Sequence, residues 1–338
     1  MIIKENISLK PFNTFGIDAK AKHFAVISEL QDLYELYEKG FLNDRFLLLG
    51  GGSNILFTGD YEGIVILNSL GGIEVNEAAE NEVIVKAGAG VEWNELVWYC
   101  IDREYGGIEN LSLIPGSLGA APIQNIGAYG VELKDCFVSL EAFDIQTGEI
   151  KEFNRQECRF GYRDSIFKHT LKGKVVILSV SLKLQKDKPP DTTYGAIREQ
   201  LKLMRIKDPP DIRSVGLAVT AIRRAKLPDP EVTGNAGSFF KNPVITYSEF
   251  VKIKHKFPDI PHYISGHGRV KVPAAWMIEQ CGWKGKRLGY AGVHAKQALV
   301  LVNHGKASGN DILALATAIR CSVSARFAVD LEMEVNVV

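Results

Sequence analysis

Short apolar runs bounded by glycine, proline or asparagine recur through the first half of the chain. Residues 45–49 (RFLLL) lead into a glycine-rich turn, which predicts a buried strand ending at Gly50. The same pattern predicts further strands at 63–67, 82–87, 137–144, 149–153 and 175–184. Because Gln146, Thr147 and Gly148 separate two of these runs, 137–144 and 149–153 are expected to form a β-hairpin.

Helical spacing alternates with these strands. Trp93, Leu96, Val97 and Cys100 recur at intervals of three and four, which predicts a helix over 92–103 whose aromatic stripe faces the core. The remaining helices are predicted at 194–207, from there to about 226, and at 246–256, 273–281 and 308–327. Strands are predicted at 298–302 and, added to an existing sheet, at 331–337.

Prolines mark the main boundary of the chain. Pro228 and Pro230 stop the helical pattern, so the domain boundary is placed near Leu227, with a smaller α/β unit after it. With 338 residues and 46% hydrophobic composition, the chain is long enough for two or three domains with proper cores.

The stretch 111–131, LSLIPGSLGAAPIQNIGAYGV, carries no charged side chain. Four glycines permit positive φ or close backbone approach, while Pro115 and Pro122 fix φ, so it cannot be one continuous helix or strand. A stiff loop of this kind is either a buried connection packed on its own domain or a clamp around a cofactor. Composition alone leaves both interpretations open.

The turn at Gly50, Gly51, Gly52, Ser53 and Asn54 is either a phosphate cradle or a plain tight turn. Consecutive glycines expose backbone N–H groups, and the serine and asparagine add donors, so an anion could bind without a lysine. No Gly-Lys-Ser/Thr follows, which excludes a P-loop. The third glycine of the dinucleotide fingerprint is replaced by Ile55 here, and by Trp93 after Gly88, so a Rossmann fold is disfavoured.

Charge and cysteine usage exclude several classes. Lys plus Arg and Asp plus Glu both total 40, so no net field favours nucleic acid or an anionic membrane. The five cysteines form no CxxC pair, which argues against a disulfide framework and predicts reduced thiols in the cytoplasm. No signal-peptide h-region and no apolar stretch of roughly 18 residues is present, so neither secretion nor membrane insertion is expected.

Metal-dependent and serine-hydrolase chemistry are also disfavoured. The seven histidines show no HExxH or HxH spacing, and Ser238 lies outside any GxSxG elbow. The segment 158–165, CRFGYRDS, is dense in arginine and aromatic residues; it is either a surface turn with an Arg–Asp pair or the carrier of a functional Arg163.

Ordered motifs along the whole chain resemble the UDP-N-acetylenolpyruvoylglucosamine reductase family. They are NTFGI at Asn13, GGGSN at Gly50, IPGSLGAAPIQNIGAYGVE at Ile114, CRFGYRDSIFK at Cys158, TYG at Thr193, KLPDP at Lys226, GNAGSFFKNP at Gly234 and LEMEV at Leu331. The resemblance implies an α+β fold: a two-lobed FAD-binding domain of the vanillyl-alcohol-oxidase type, not Rossmann, followed by a smaller α/β substrate-binding domain. It places lobe 1 at 1–70, lobe 2 at 71–227, the UDP-sugar domain at 228–328, and a strand returning to the active site at 329–338.

The resemblance also implies a reaction in peptidoglycan precursor synthesis. Hydride passes from NADPH to non-covalently bound FAD and then to the enolpyruvyl ether of a UDP-sugar, giving UDP-N-acetylmuramate. The family's proton donor falls on Ser238, and its substrate-activating pair on Arg163 and Glu334. Strand geometry alone would not distinguish Glu334 from Glu332, which share one face, and Met333 stands where many members carry proline.

Binding residues follow from the same comparison. The FAD contacts implied are Gly50, Gly51, Gly52, Ser53, Asn54, Pro115, Gly116, Gly119, Gln124, Asn125 and Gly127. The substrate contacts implied are Tyr194, Lys226, Asn242, Tyr263 and Gln297, with a tyrosine-bearing lid over the UDP. Ser238 could instead cap a helix or order a loop, Lys226 could be a helix C-terminal cation, and Tyr263 an ordinary loop aromatic.

Two other functions are compatible with such a fold. A flavin oxidase that uses molecular oxygen is disfavoured by the match in the C-terminal half. A non-catalytic UDP-sugar sensor is disfavoured because Ser238, Arg163 and Glu334 are all retained. The sequence therefore predicts a cytoplasmic enzyme without metal, nucleic-acid, membrane or obligate protein partners.

Overall fold

A computed structural model describes all residues from 1 to 338. The chain divides into two compact units. The first unit consists of Met1–Ile7, Ala21–Gly52 and Tyr61–Ala225, and the second of Ser8–Lys20, Ser53–Asp60 and Lys226–Val338. The sequence did not predict that two short N-terminal segments join the C-terminal part, because nothing local to them indicates a partner so far along the chain.

The strands, in chain order, are β1 Lys4–Ser8, β2 Lys20–Ile27, β3 Phe46–Leu49, β4 Ile55–Leu56, β5 Tyr61–Asn68, β6 Ile73–Ala79, β7 Glu82–Gly88, β8 Tyr105–Gly106, β9 Gly127–Ala128, β10 Val131–Glu132, β11 Phe137–Asp144, β12 Ile150–Asn154, β13 Val175–Lys186, β14 Gly234–Ser238, β15 Val244–Thr246, β16 Tyr263–Ile264, β17 Arg269–Lys271, β18 Arg287–Leu288, β19 Ala291–Val293, β20 Val300–Asn303 and β21 Asn336–Val337.

The α-helices are α1 Leu30–Glu38, α2 Trp93–Asp102, α3 Gly195–Leu203, α4 Ile212–Lys226, α5 Tyr247–Lys256, α6 Ala274–Gln280 and α7 Gly309–Phe327. The predicted helices are confirmed, although α3 ends at Leu203, before the predicted end at 207. No helix is long and apolar enough to cross a membrane.

Two large sheets and the two-stranded sheet β9–β10 lie in the first unit. In the smaller of the two large sheets, of order β1-β2-β5-β3, β5 pairs in parallel with β2 and with β3. The larger one is antiparallel, with the order β12-β11-β13-β7-β6 and β8 added to β13. The central strand β13 is buried over its first six residues, which are apolar except for Ser179. The predicted hairpin is confirmed as β11 and β12.

Helix α2 anchors the stretch 111–131 to this core. The Glu92 side chain caps its N-terminus by accepting from Glu95 N, and the predicted apolar face is buried. The Trp93 indole, 1% exposed, donates to the Leu111 carbonyl at 2.9 Å. The aromatic stripe therefore belongs to the core, as predicted.

The second unit contains a four-stranded antiparallel sheet of order β14-β20-β19-β18 and a three-stranded sheet of order β15-β17-β16. The Ser8–Lys20 segment packs directly on β14, because a Cβ added at Gly234 would lie 2.3 Å from the Phe15 carbonyl oxygen. Asn303 Nδ2 donates to the same oxygen at 2.9 Å. Ser308 begins α7 with a capping box to Asp311.

The predicted terminal strand 331–337 is wrong in extent. Only β21 forms, parallel to β4, while Met333 makes an isolated bridge to Phe240. The physical reason is that the residues before β21 bond to irregular backbone beyond the end of β14: Lys241 N donates to Glu332 O, and Glu334 N to Phe239 O. A regular ladder needs a regular partner strand, which this segment lacks.

Candidate active site

The glycine turn and the stretch 111–131 touch within the first unit. A Cβ added at Gly51 would lie 2.8 Å from Gly116 Cα, and one at Gly50 would lie 2.1 Å from Ser117 Oγ. At Gly51 the close atoms are backbone, so a side chain there would force the two loops apart, whereas a side chain at Gly50 would have to displace the Ser117 hydroxyl. The two loops that the sequence predicted to act together are therefore adjacent.

Backbone donors collect where these loops meet. The N–H groups of Gly50, Gly51, Gly116 and Ser117 make no hydrogen bond within the chain. Backbone donors without internal acceptors are normally satisfied by water or a ligand, and a group of them suits an anion. This arrangement fits the pyrophosphate of a dinucleotide such as FAD.

Backbone hydrogen bonds attach the stretch 111–131, hereafter the clamp loop, to the start of α2 and the residues before it. Trp93 N donates to Gly116 O, Leu118 N to Val91 O, and Gly119 N to Ala89 O, all at 2.8 Å. A Cβ added at Gly119 would lie 2.7 Å from Ala89 Cβ, so this glycine permits close packing and its own N–H is already bonded. Pro115 is exposed beside it.

Asn125, 0% exposed and with φ of +44°, braces the loop. Its Nδ2 donates to Glu132 Oε2 and to Gly161 O, and its Oδ1 accepts from Lys134 N. Because both amide hydrogens are used, the side chain has no donor left for a cofactor in this arrangement. Its contact with Gly161 instead fixes the turn that carries Arg163; Gln124, next to it, is half-buried.

Arg163 has φ of +53° and reaches back to the clamp loop, where its guanidinium donates to Gly127 O at 2.6 Å. Lys168 Nζ donates to the Arg163 carbonyl at 3.3 Å. Asp164 contacts His169 at 2.8 Å, so the carboxylate of this turn has a histidine as its partner. Hydrogen bonds therefore hold both the guanidinium and the backbone carbonyl of Arg163 in place.

Arg223 is a second cation near Arg163 that sequence reasoning missed. Its Nε donates to Leu113 O at 3.2 Å, and no carboxylate pairs with it. Burial lowers the pKa of this guanidinium, and the Arg163 charge lowers it further, against a raising effect from Tyr129. The signal was available, since Arg223 lies four residues after Val219 on the buried face of α4.

Tyr194, 44% exposed, packs edge-to-face on Tyr129 with ring centroids 5.3 Å apart. The Asn110 side chain ties the backbones below these rings together, since its Nδ2 donates to Tyr129 O and Asp191 O. Burial raises the pKa of the Tyr129 phenol, and the positive charge of Arg223 partly opposes this rise. The Tyr194 ring thus packs on Tyr129, whose phenol interacts electrostatically with the Arg223 guanidinium.

In the second unit, Ser238 follows a bulge in β14. The register with β20 shifts between Asn235 and Ser238, and Gly237 adopts φ of +67°. Asn235, 2% exposed, holds this bulge: its Oδ1 accepts from Gly237 N, and its Nδ2 donates to Pro228 O and Thr233 O. Ser238 is half-buried, and its hydroxyl makes no hydrogen bond within the chain.

Glu334 lies beside the Ser238 segment, because its N–H donates to the carbonyl of Phe239 at 2.8 Å. Its own carbonyl accepts from Asn54 Nδ2 at 3.2 Å. The neighbouring Glu332 carboxylate instead forms an ion pair with Lys241. The structure thus gives the two glutamates different surroundings, a distinction that strand spacing could not make.

The remaining candidates lie on separate elements. Lys226 ends α4, and the Asn242 side chain accepts from Ala274 N at the start of α6. Tyr263, 57% exposed, lies on β16, while Gln297 Oε1 accepts from Leu299 N at 3.4 Å. These four residues belong to the second unit with Ser53, Asn54, Ser238 and Glu334; Gly50–Gly52, the clamp loop, Arg163 and Tyr194 belong to the first.

A model of FAD binding domains matches residues 27–154. This match and the fold define an FAD-binding α+β protein of the vanillyl-alcohol-oxidase type, as predicted. A second model, UDP-N-acetylenolpyruvoylglucosamine reductase, C-terminal domain, matches residues 229–338. A reductase of that name from Amoebophilus asiaticus is 50% identical over 339 residues, covering 100% of both chains. The chain belongs to the UDP-N-acetylenolpyruvoylglucosamine reductase family, whose members are FAD-dependent oxidoreductases.

Other relatives agree. The reductase of the same name from Flavobacterium johnsoniae is 47% identical over 339 residues, again covering 100% of both chains. Among solved structures, the UDP-N-acetylenolpyruvylglucosamine reductase from Thermus caldophilus superposes with a TM-score of 0.69 at 23% identity, covering 99% of each chain. A solvent-stable cholesterol oxidase gives a TM-score of 0.51 at 12% identity, over 99% of this chain and 86% of the other. These two structural likenesses concern the fold alone.

Proposed function

We propose that this protein reduces the enolpyruvyl ether of UDP-N-acetylglucosamine enolpyruvate to UDP-N-acetylmuramate, with NADPH as reductant and FAD as mediator. The observation that carries the proposal is the placement of Ser238, whose hydroxyl has no partner, next to the segment that holds Glu334. The names of the full-length relatives supply the substrate.

FAD would be held by the backbone donors of Gly50, Gly51, Gly116 and Ser117, and it supplies hydride transfer from NADPH to the vinyl carbon. Neutral donors can hold a pyrophosphate without a lysine, as helix termini and glycine-rich turns do. Asn125 and Gly119 contribute by fixing the loop. Gln124, Gly52 and Ser53 remain proposed contacts.

Arg163 is proposed to stabilise the negative charge that develops on the substrate carboxylate as hydride arrives. Its guanidinium is already fixed by Gly127 and Asn125 through the turn, so little reorganisation is needed at the moment of reaction. Removing one preorganised donor of this kind costs on the order of 3 kcal/mol of transition-state energy. Arg223, whose charge interacts with that of Arg163, would add to the positive potential.

Ser238 is proposed to donate the proton that completes the reduction. A serine hydroxyl is a weak acid, but a carbanion next to a carboxylate is basic enough to accept its proton within hydrogen-bond reach. Glu334 is proposed to act with Arg163 in orienting the substrate. Tyr194, Lys226, Asn242, Tyr263 and Gln297 are proposed to hold the UDP moiety.

The test follows the flavin colour. Purified protein is made anaerobic, NADPH is added, and the enolpyruvyl UDP-sugar follows. We expect the flavin absorbance near the visible maximum to bleach with NADPH and to return with the UDP-sugar but not with UDP-N-acetylglucosamine. Return of colour only on admission of air would indicate an oxidase, and a colourless protein that binds the UDP-sugar would indicate a sensor; either result would reject the proposal.

A further inference from the structure

Asn54 ends the glycine turn, yet its side chain is directed to the C-terminal segment of the second unit. Its Nδ2 donates to the Glu334 carbonyl at 3.2 Å. Its backbone carbonyl accepts from Asn336 N and from Asn336 Nδ2, both at 3.1 Å. The next residues, Ile55 and Leu56, continue as β4 in parallel pairing with β21.

These contacts hold the Glu334 backbone from two sides. Its N–H is bonded to Phe239 O, one residue after Ser238, and its carbonyl to Asn54. With both backbone groups engaged, the Cα–Cβ direction of Glu334 is restricted, although the residue lies outside any regular strand. A carboxylate on irregular backbone needs such support to keep one orientation.

We propose that Asn54 is a positioning residue that acts through Glu334. The asparagine is two residues beyond Gly52, so the turn that carries the backbone donors also fixes the backbone of the proposed substrate-orienting carboxylate. The inference rests on the proposed function, in particular on the role of Glu334.

The chain offers a matched control. Asn54→Ala removes the donor to Glu334 O, whereas Asn336→Ala removes only a side-chain contact to Asn54 O and leaves the Asn54–Glu334 bond in place. Loss of one hydrogen bond to a catalytic support corresponds to a rate change of about tenfold. We therefore expect Asn54→Ala to slow reoxidation of reduced flavin by the UDP-sugar about tenfold, and Asn336→Ala to stay within about twofold of wild type.

A double-mutant cycle shows whether Asn54 acts through Glu334. We expect Glu334→Gln alone to slow reoxidation, and the double variant Asn54→Ala/Glu334→Gln to be no slower than Glu334→Gln. Independent of turnover, hydrogen–deuterium exchange of a peptide covering 331–338 should be faster in the Asn54→Ala apoprotein than in wild type. FAD titration of the same apoprotein should give a dissociation constant within about threefold of wild type, because the side chain is assigned to Glu334.

Different results overturn different claims. Additive effects in the double variant, or FAD affinity reduced more than about tenfold with reoxidation intact, would overturn the positioning role and make Asn54 a direct cofactor contact. Unchanged reoxidation in Glu334→Gln would instead reject the role proposed for Glu334. Should Asn54→Ala fail to fold, Asn54→Asp keeps the side-chain size but cannot donate to Glu334 O, and the same slowing is expected.

Discussion

Two buried asparagines hold the backbone next to the candidate site residues through side-chain hydrogen bonds. Asn125 fixes the turn under Arg163, and Asn235 fixes the bulge before Ser238. Both asparagines are almost completely buried and use donor and acceptor together. The positions of Arg163 and Ser238 are therefore determined by hydrogen bonds of the backbone around them.

Replacing Ser238 tests its proposed role as proton donor. Ser238→Ala should leave flavin reduction by NADPH within about twofold of wild type and slow reoxidation by the UDP-sugar at least 100-fold, because protonation belongs only to the second half-reaction. Anaerobic stopped-flow absorbance measures both steps. Equal slowing of the two half-reactions would show that the hydroxyl has another role.

Replacing Arg163 by lysine keeps the positive charge but removes the planar guanidinium with its several N–H donors. The guanidinium donates to Gly127 O and keeps further N–H donors in a planar arrangement, which a lysine ammonium cannot reproduce. We expect Arg163→Lys to slow reoxidation by roughly 10²–10³-fold at unchanged flavin content. Wild-type reoxidation in this variant would assign Arg163 to structure alone.

At the level of elements, strand β14 contains two glycines with different constraints. A Cβ at Gly237 would meet nothing within 4 Å, so Gly237→Ala should lose only the backbone term for positive φ, about 1–2 kcal/mol. Gly234→Ala would place its Cβ 2.3 Å from Phe15 O and should destabilise far more. Thermal unfolding should therefore show that Gly237→Ala folds with a slightly lower Tm. A larger decrease of Tm in Gly237→Ala than in Gly234→Ala would contradict these constraints on β14.

The contact between the two loops of the first unit gives a further prediction. Gly51→Ala must separate the glycine turn from Gly116, whereas a Cβ at Gly71 in the same unit meets nothing within 4 Å. We expect Gly51→Ala to weaken FAD binding at least tenfold, because the donor cluster opens, and Gly71→Ala to bind as wild type. Titration of the apoprotein with FAD measures both; equal affinities would mean that the donor cluster does not bind the cofactor.

Helices and hairpins whose caps, apolar faces or turns lie within their own sequence could be predicted. Segments whose conformation depends on residues far along the chain could not. Helices α2 and α7 carry their own caps and apolar faces, and the β11–β12 hairpin has its own turn. The bulge at Gly237 depends on Asn235, which any sequence pattern reads as a loop residue. The tail was predicted as a strand from its apolar alternation, but its partner backbone is irregular.

The candidate site shows the same division. Motif resemblance named Arg163, Ser238 and Glu334, whereas Arg223 was missed because an arginine near the end of a helix is usually solvated. Asn125 was predicted as a cofactor contact. Its side-chain hydrogen bonds to Gly161 and Glu132 depend on tertiary structure, so the sequence could not indicate them. Residue type can be inferred from sequence, but the partner of a buried polar group requires coordinates.

For the whole molecule, two histidines of the second unit predict how stability depends on pH. Burial lowers the pKa of His294, and burial with the Arg287 charge lowers that of His304, both below 6.5. His294 Nδ1 is buried without a partner. Since the unfolded chain takes up these protons first, stability is fully present above pH 6.5 and is lost as the pH falls through the folded pKa values.

Carboxylates affect the pH dependence of stability in a lower pH range than these histidines. Carboxylates such as Asp144 and Glu141 have pKa values lowered mainly by hydrogen bonds from Lys151 and Lys86, so their contribution is lost only below about pH 4.5. A decline in Tm between pH 7 and 5 should therefore be reduced in His294→Gln and unaffected in His255→Gln, whose histidine is exposed on α5. An unchanged decline in His294→Gln would assign it to other groups.

The two N-terminal segments of the second unit also determine when that unit can form during synthesis. Thr14 Oγ1 bonds the carbonyl of Asn235, 221 residues later, and Asn54 bonds Glu334, 280 residues later. At about 5–20 residues per second, the nascent chain carries the buried side chains of Leu9, Phe15 and Ile17 without their partners for roughly 10–45 s. The residues of the first unit are therefore synthesised while these two N-terminal segments still lack their C-terminal partners, and their apolar side chains stay exposed during that time.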